Sequence, residues 1–380
     1  MSGTHSMFAP SASHRILLCP PSCKLNAELP DTAGAAAQEG TCAHELCAYL
    51  VEHDLGRDVK DPTANLDFYD AEMQSCAEGY RDYVLEQYEA IKRTCPDAQL
   101  FIEQHVDISR WVPGCGGTAD CIILADGMAE IIDFKYGTGV PVSATTKEFG
   151  GNPQLMCYAL GMVNAFAALY DFDRIKLAIF QPRLENISEH ELSLSALLEW
   201  GEKVLSPTAK LALAGEGEFC AGDHCRFCKV KAACRKRAEY NLEMAQYDFA
   251  PPSMLTDTEI EAILDRADGF KKWVGDIEDY ALKEALAGKT YERYMLTEGR
   301  SNRRYTSDAD VAEAVTKAGY DAYKPREVMG ITDMEKQLGK KKFNELLGKL
   351  VYKPQGKPTL VPRSSGRPEL KTTAQDDFKE

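Results

Sequence analysis

Between Gly117 and Gly137 the chain reads GTADCIILADGMAEIIDFKYG, with two acids and a lysine at spacings that could do chemistry. Asp120 opens one β-rich run. Asp133 and Lys135 close the next, as Asp-Phe-Lys. Side chains alternate along a strand, so Asp133 and Lys135 share one face and Phe134 takes the other. Asp126-Gly127 is a hairpin signal, and a turn there sets Asp120 across from Asp133–Lys135. Two carboxylates and an ammonium then converge at one end of a two-stranded ribbon. Phosphodiester hydrolysis needs such a set. Carboxylate oxygens hold Mg²⁺ or Mn²⁺, the metal polarises the phosphoryl oxygen and activates water, and the lysine orients that water and offsets developing charge. The bland alternative is a solvated Asp–Lys pair on a surface hairpin. Ile131-Ile132 just before Asp133 argues for burial instead, and a buried unpaired charge is costly.

Other residues could join this set. His44 lies on a helical stretch and is a further candidate metal ligand, with Glu39 one to two turns earlier as its supporting partner. Gln154 and Tyr158 are four apart, share a helix face, and could contact a phosphate or a base.

The chain holds 13 cysteines. Cys225, Cys228 and Cys234 form C-x2-C-x5-C, and a three-thiolate knot needs a fourth ligand. Cys220 and Cys19 are the two candidates. A short loop closes at low entropy cost, which slightly favours Cys220 and a four-thiolate zinc site. Arg226, Arg235, Lys236 and Arg237 flank this motif as a basic patch, and Arg300, Arg303 and Arg304 form a second. Phe227 and Tyr136 are candidate stacking platforms for unpaired bases.

Helices are expected over Ala35–His53, over Leu66–Ile91 from the three-and-four stepping of apolar residues, and over 152–169. Short β-rich runs are expected at QLFIEQHVDI, TADCIILADG, MAEIIDFKYG and IKLAIFQPRL, and a further helix at LSALLEWGEKVLSPTAKLALA. Ala250-Pro251-Pro252 reads as a domain boundary. A long amphipathic helix follows, with Thr256 and Glu259 as a capping box, then a hairpin-like stretch, YERYMLTEGRSNRRYT. The expected fold is α/β, with a nuclease-type domain over 1–249, a mainly helical domain over 250–352 and an extended tail over 353–380.

Composition sets the outer bounds. The 380 residues suggest about two domains at roughly 100–200 residues each. Forty-four per cent hydrophobic and 27% charged residues exclude collagen, coiled coil and a disordered chain. A net charge of −15 excludes a histone-like coat on nucleic acid, though not a local basic groove. The apolar stretch Phe149–Tyr170 is interrupted by polar residues, so no membrane span is expected. The N-terminus lacks a basic segment leading into an apolar one, which reads as no signal peptide and a cytoplasmic protein. No G-x-x-x-x-G-K-[ST] motif is present, so any unwinding comes from a partner.

Taken in order, Glu39…Gly40…His44, Gly117-Thr118-Ala119-Asp120, Asp133-Phe134-Lys135 and Gln154…Tyr158 resemble the RecB-like branch of the PD-(D/E)XK nucleases. The cysteine layout resembles AddB-type exonucleases, with one cysteine before the core and C-x2-C-x5-C after it. The whole chain also resembles an uncharacterised family of phage and prophage proteins. These resemblances imply a restriction-endonuclease-like core with a mixed sheet flanked by helices, Mg²⁺ or Mn²⁺ at His44, Asp120 and Asp133, and a [4Fe–4S] cluster on Cys19, Cys225, Cys228 and Cys234. They imply a DNA exonuclease in phage recombination or processing, in the bacterial host cytoplasm. Its substrate would be single-stranded DNA or DNA with free ends, and its partner a recombinase, helicase or single-strand-binding protein. A different class also fits: a catalytically silent DNA-binding or assembly protein on the same fold, with a structural iron–sulfur or zinc site.

Overall fold

The computed structural model describes residues 7–30, 34–243 and 255–297, with Lys317, Ile331, Met334, 338–347 and 350–351. Two compact units are present, Met1–Ala281 and Leu282–Glu380. The first holds a five-stranded sheet of β1 (Gln99–Asp107), β2 (Gly116–Ala125), β3 (Gly127–Phe134), β4 (Phe172–Gln181) and β5 (Asn186–Ser193). Their spatial order is β1-β2-β3-β4-β5. The β3–β4 pair is parallel and the others are antiparallel, so the sheet is mixed. A parallel pair needs a crossover, which contains α5 (Pro153–Phe166).

Helices cover both faces. On one side α5 packs with α1 (Ser13–Leu18), α6 (Leu194–Trp200) and α7 (Ser206–Ala214) against Ile122, Leu124 and Ile131. On the other, α3 (Ala35–Asp54) and α4 (Ala71–Lys92) pack Leu46, Val51, Tyr80 and Val84 against Ile123, Ile132 and Phe134. Ile131 and Ile132 thus serve opposite cores, which is why neighbouring positions of β3 are both apolar. α2 (Ser22–Ala27) lies near the N-terminus, and α8 (Arg235–Leu242) follows the cysteine-rich loop. The helix α9 spans Asp257–Leu286, and α10 (Lys340–Leu347) lies in the second unit.

Local signals explain the boundaries. The hairpin joins Ala125 to Met128 across Asp126-Gly127, with Gly127 at φ +83°, a conformation that strains any side chain. Asn152 caps α5 by accepting from Gln154 N at 3.0 Å, and Pro153 fills the first helical position. The expected capping box is present: Thr256 N donates to Glu259 Oε2 at 2.8 Å.

Three expectations meet differences. The second helix starts at Ala71, not Leu66, because Asp70 caps it by accepting from Met73 N at 2.8 Å. Strand β5 was not anticipated; it is an edge strand with few apolar residues, and every second position is exposed. In the expected hairpin stretch, residues 291–297 form no strand, and the remainder lies outside the described residues. The expected boundary at 250–252 and the tail from 353 also lie outside them. The two compact units divide within α9. Among the described residues no helix is long and apolar enough to cross a membrane.

Candidate functional site

The β2–β3 hairpin brings the acids together, as the turn at Asp126-Gly127 predicts. Cys121 pairs with Ile132, so Asp120 and Asp133 stand at adjoining positions of the two strands. Lys135 Nζ lies 2.8 Å from Asp133 Oδ2. From α5, Gln154 clamps both groups. Its Nε2 donates to Asp133 Oδ1 at 2.9 Å, and its Oε1 accepts from Lys135 Nζ at 3.1 Å. Gln154 Nε2 also lies 3.3 Å from Tyr158 Oη. The glycine of G-x-x-D has a steric reason: a Cβ on Gly117 would sit 3.0 Å from both Pro10 and the Tyr158 ring.

On the other side of Asp120 stands α3. His44 Nδ1 is 3.3 Å from Asp120 Oδ1, and its ring meets Phe134 edge-on at 5.3 Å. Ligand atoms of His44, Glu103 and Asp120 all lie within 4.8 Å of one another. Glu103 was not anticipated from sequence. It sits in β1 with φ +49°, an unfavourable conformation for a non-glycine residue, of a kind that collects at functional sites. The one available signal was an acid within a β-rich run opposite the G-x-x-D strand. Glu39 does not support His44 as expected. It pairs with Arg183 at 3.1 Å instead, and Arg183 stacks on Tyr136 at 4.7 Å from the ring centre.

The electrostatics follow from crowding. Asp133 is 2% exposed; burial pushes its carboxyl above the usual range, and Lys135 beside it pulls the other way. Burial works against the Lys135 charge, but Asp133 outweighs it and holds the ammonium protonated. Burial and the Asp120 charge push Glu103 up to about 7. Burial disfavours the His44 imidazolium, but the hydrogen bond and charge of Asp120 prevail, so its pKa is raised.

A second centre lies at the cysteines. Cys19, Cys220, Cys225, Cys228 and Cys234 all line one small cavity. Cys19, Cys225 and Cys228 are buried and Cys220 is exposed. Burial raises the Cys19 thiol, against backbone hydrogen bonds at Cys220 and Ser22 that favour its thiolate. Asn26 ties the distant segments together. Its Nδ2 donates to Cys228 Sγ at 3.3 Å, and its Oδ1 accepts from Lys229 N at 2.7 Å.

The expected basic patch divides. Arg235 and Lys236 are exposed and Arg226 is half-buried. Arg237 is turned inward, 7% exposed, and pairs with Asp276 of α9 at 2.6 Å. A buried, neutralised guanidinium cannot track a phosphate backbone, so Arg237 leaves the set of nucleic-acid-binding candidates. Arg300, Arg303 and Arg304 lie outside the described residues.

A family model described as protein of unknown function (DUF2800) matches residues 5–368. The chain belongs to this DUF2800 family. Both centres of this DUF2800 member fall inside the matched span. The crystal structure of SSO0001 is similar over 59% of this chain and 96% of its own, at 13% identity and a TM-score of 0.22.

Proposed function

We propose that this protein is a metal-dependent deoxyribonuclease with a PD-(D/E)XK core, an exonuclease that acts on single-stranded DNA or free DNA ends in phage DNA processing. The observation that carries the reading is one constellation: Asp133, Lys135 and Gln154 locked together, with Asp120 between them and the His44–Glu103 pair.

The donor set fits a hard divalent cation. Carboxylate oxygens suit Mg²⁺ or Mn²⁺, the imidazole favouring the softer Mn²⁺ of the two, and the buried Asp133 Oδ2 has no hydrogen-bond partner beyond its ion pair with Lys135. His44, Glu103 and Asp120 would hold the ion, with Asp133 alongside; the ion supplies charge to the phosphoryl oxygen and lowers the pKa of water. The rest falls to the chain's own residues. Gln154 fixes the Lys135 ammonium in place, so it can orient the attacking water and answer the charge that develops on phosphate. Asp133 keeps that ammonium protonated. Tyr158 braces Gln154 and, through Gly117, the strand that carries Asp120.

The cysteines fit a [4Fe–4S] cluster held by Cys19, Cys225, Cys228 and Cys234. These four thiols line one cavity, three from the loop after the core and Cys19 from before it, and soft thiolates select iron–sulfur centres or zinc. The test is anaerobic purification with a visible spectrum, then cleavage of end-labelled single- and double-stranded DNA in Mg²⁺ and Mn²⁺. Brown protein whose cleavage disappears in Asp133→Ala supports the reading. A folded, DNA-binding protein with no cleavage in either metal would favour the assembly role.

A further inference from the structure

Two arginines stand at the wall of the cysteine cavity, Arg15 and Arg237. They differ in how their charge is answered. Arg237 is neutralised by Asp276 at 2.6 Å. Arg15, on α1, is half-buried. Its Nη1 donates to Ser22 O at 2.9 Å and Ser22 Oγ at 2.7 Å, both neutral acceptors. Among the described residues no carboxylate forms an ion pair with it. Cys19, Cys225, Cys228 and Cys234 line the same cavity as Arg15. A guanidinium withdrawn from water without an anion is unfavourable. The wall is therefore built for an occupant that is negative once ligated.

We infer that Arg15 is the built-in counter-cation of the cysteine centre and sets the charge state that the centre prefers. This rests on the iron–sulfur reading. A [4Fe–4S] cluster on four thiolates is a dianion when oxidised. One electron from an external reductant makes it a trianion, with no bond formed or broken. A fixed positive charge beside the cavity stabilises the trianion more than the dianion, so it raises the reduction potential. Asn26 acts in the same direction through its hydrogen bond to Cys228 Sγ. Arg15 also connects the two centres along the chain. The segment that carries it runs from Pro10, which packs near Gly117, to Cys19.

The test is a dithionite redox titration of the full chain, purified anaerobically and followed by visible absorbance, for wild type, Arg15→Gln and Arg15→Lys. Arg15→Gln should move the midpoint to a more negative potential, while Arg15→Lys, which keeps the charge, should stay near wild type. If Arg15→Gln emerges without its cluster and Arg15→Lys retains it, the charge requirement stands. Unchanged midpoints, equal shifts in both variants, or loss of the cluster from both would overturn the inference while leaving a brown wild-type protein. A colourless, zinc-loaded wild type would remove the iron–sulfur reading itself, and this inference with it.

Discussion

Asp120 Oδ2 accepts the backbone N–H of Phe134 at 2.8 Å. The acid of β2 is thereby locked to the residue between the acid and the lysine of β3. Its other oxygen remains 3.3 Å from His44. One carboxylate therefore joins the hairpin to α3, and its position depends on a backbone N–H that stays in place whatever non-proline side chain stands at position 134.

Asp133→Asn keeps the shape of the side chain and deletes its charge, leaving Lys135 without its anion. Cleavage of end-labelled single-stranded DNA in Mn²⁺ should fall by at least about 100-fold, the scale of losing one preorganised electrostatic group. Circular dichroism should be unchanged. A folded Asp133→Asn protein that cleaves like wild type would sink the catalytic assignment.

Glu103→Gln should weaken Mn²⁺ binding by about tenfold or more, because a neutral amide is a poor ligand for a hard cation. Calorimetric titration of the full chain checks this. Equal affinities would place Glu103 outside the metal centre, and its left-handed backbone would need another cause.

Cys19→Ala should bleach the visible spectrum and lower the melting temperature, whereas Cys220→Ala should do neither. Cys19 is buried at the cavity and Cys220 is exposed. A ligand on each side of the core also lets one centre close a long loop. The reverse pattern of metal loss would assign the fourth position to Cys220.

Arg235→Ala with Lys236→Ala should weaken oligonucleotide binding about equally for all sequences. It should also flatten the salt dependence by roughly 0.7 per lost contact on single strands. Affinities at several salt concentrations, with Ca²⁺ in place of Mg²⁺, provide the comparison. An unchanged slope would show that these two cations are only solvated surface.

Burial pushes the Asp276 carboxyl upward, but hydrogen bonds and charges from Lys231 and Arg237 prevail and hold it below its usual range. A lowered folded pKa contributes stability that is present above the unfolded value, about 3.9, and is lost as pH falls through the folded one. Asp276→Asn should therefore cost about 2 kcal/mol at neutral pH, the scale of a hydrogen bond between charged groups, since Arg237 is left without its anion. Its melting temperature should begin to converge on that of wild type only below about pH 4, and meet it as pH falls through the lowered folded value. A gap that persists in acid would mean that shape, not charge, holds α9 to the cysteine loop.

Much of this protein was legible in one dimension. Alternation put Asp133 and Lys135 on one face, Asp126-Gly127 fixed the hairpin register, and the four-residue step put Gln154 beside Tyr158. These are local rules, set by backbone geometry within one or two elements. What only the tertiary structure decided involves residues far apart in the chain. Glu103 reaches the site because β1 pairs with β2 in one register, and nothing in its neighbours announces the turn of its backbone. Glu39 lies near His44 in sequence, yet the fold hands it to Arg183, 144 residues away. Arg237 reads as part of a basic surface until Asp276 arrives from α9. A charge keeps its sign in any fold, but whether it faces water, a metal or an opposite charge depends on what packs over it, and that is a property of the assembled chain.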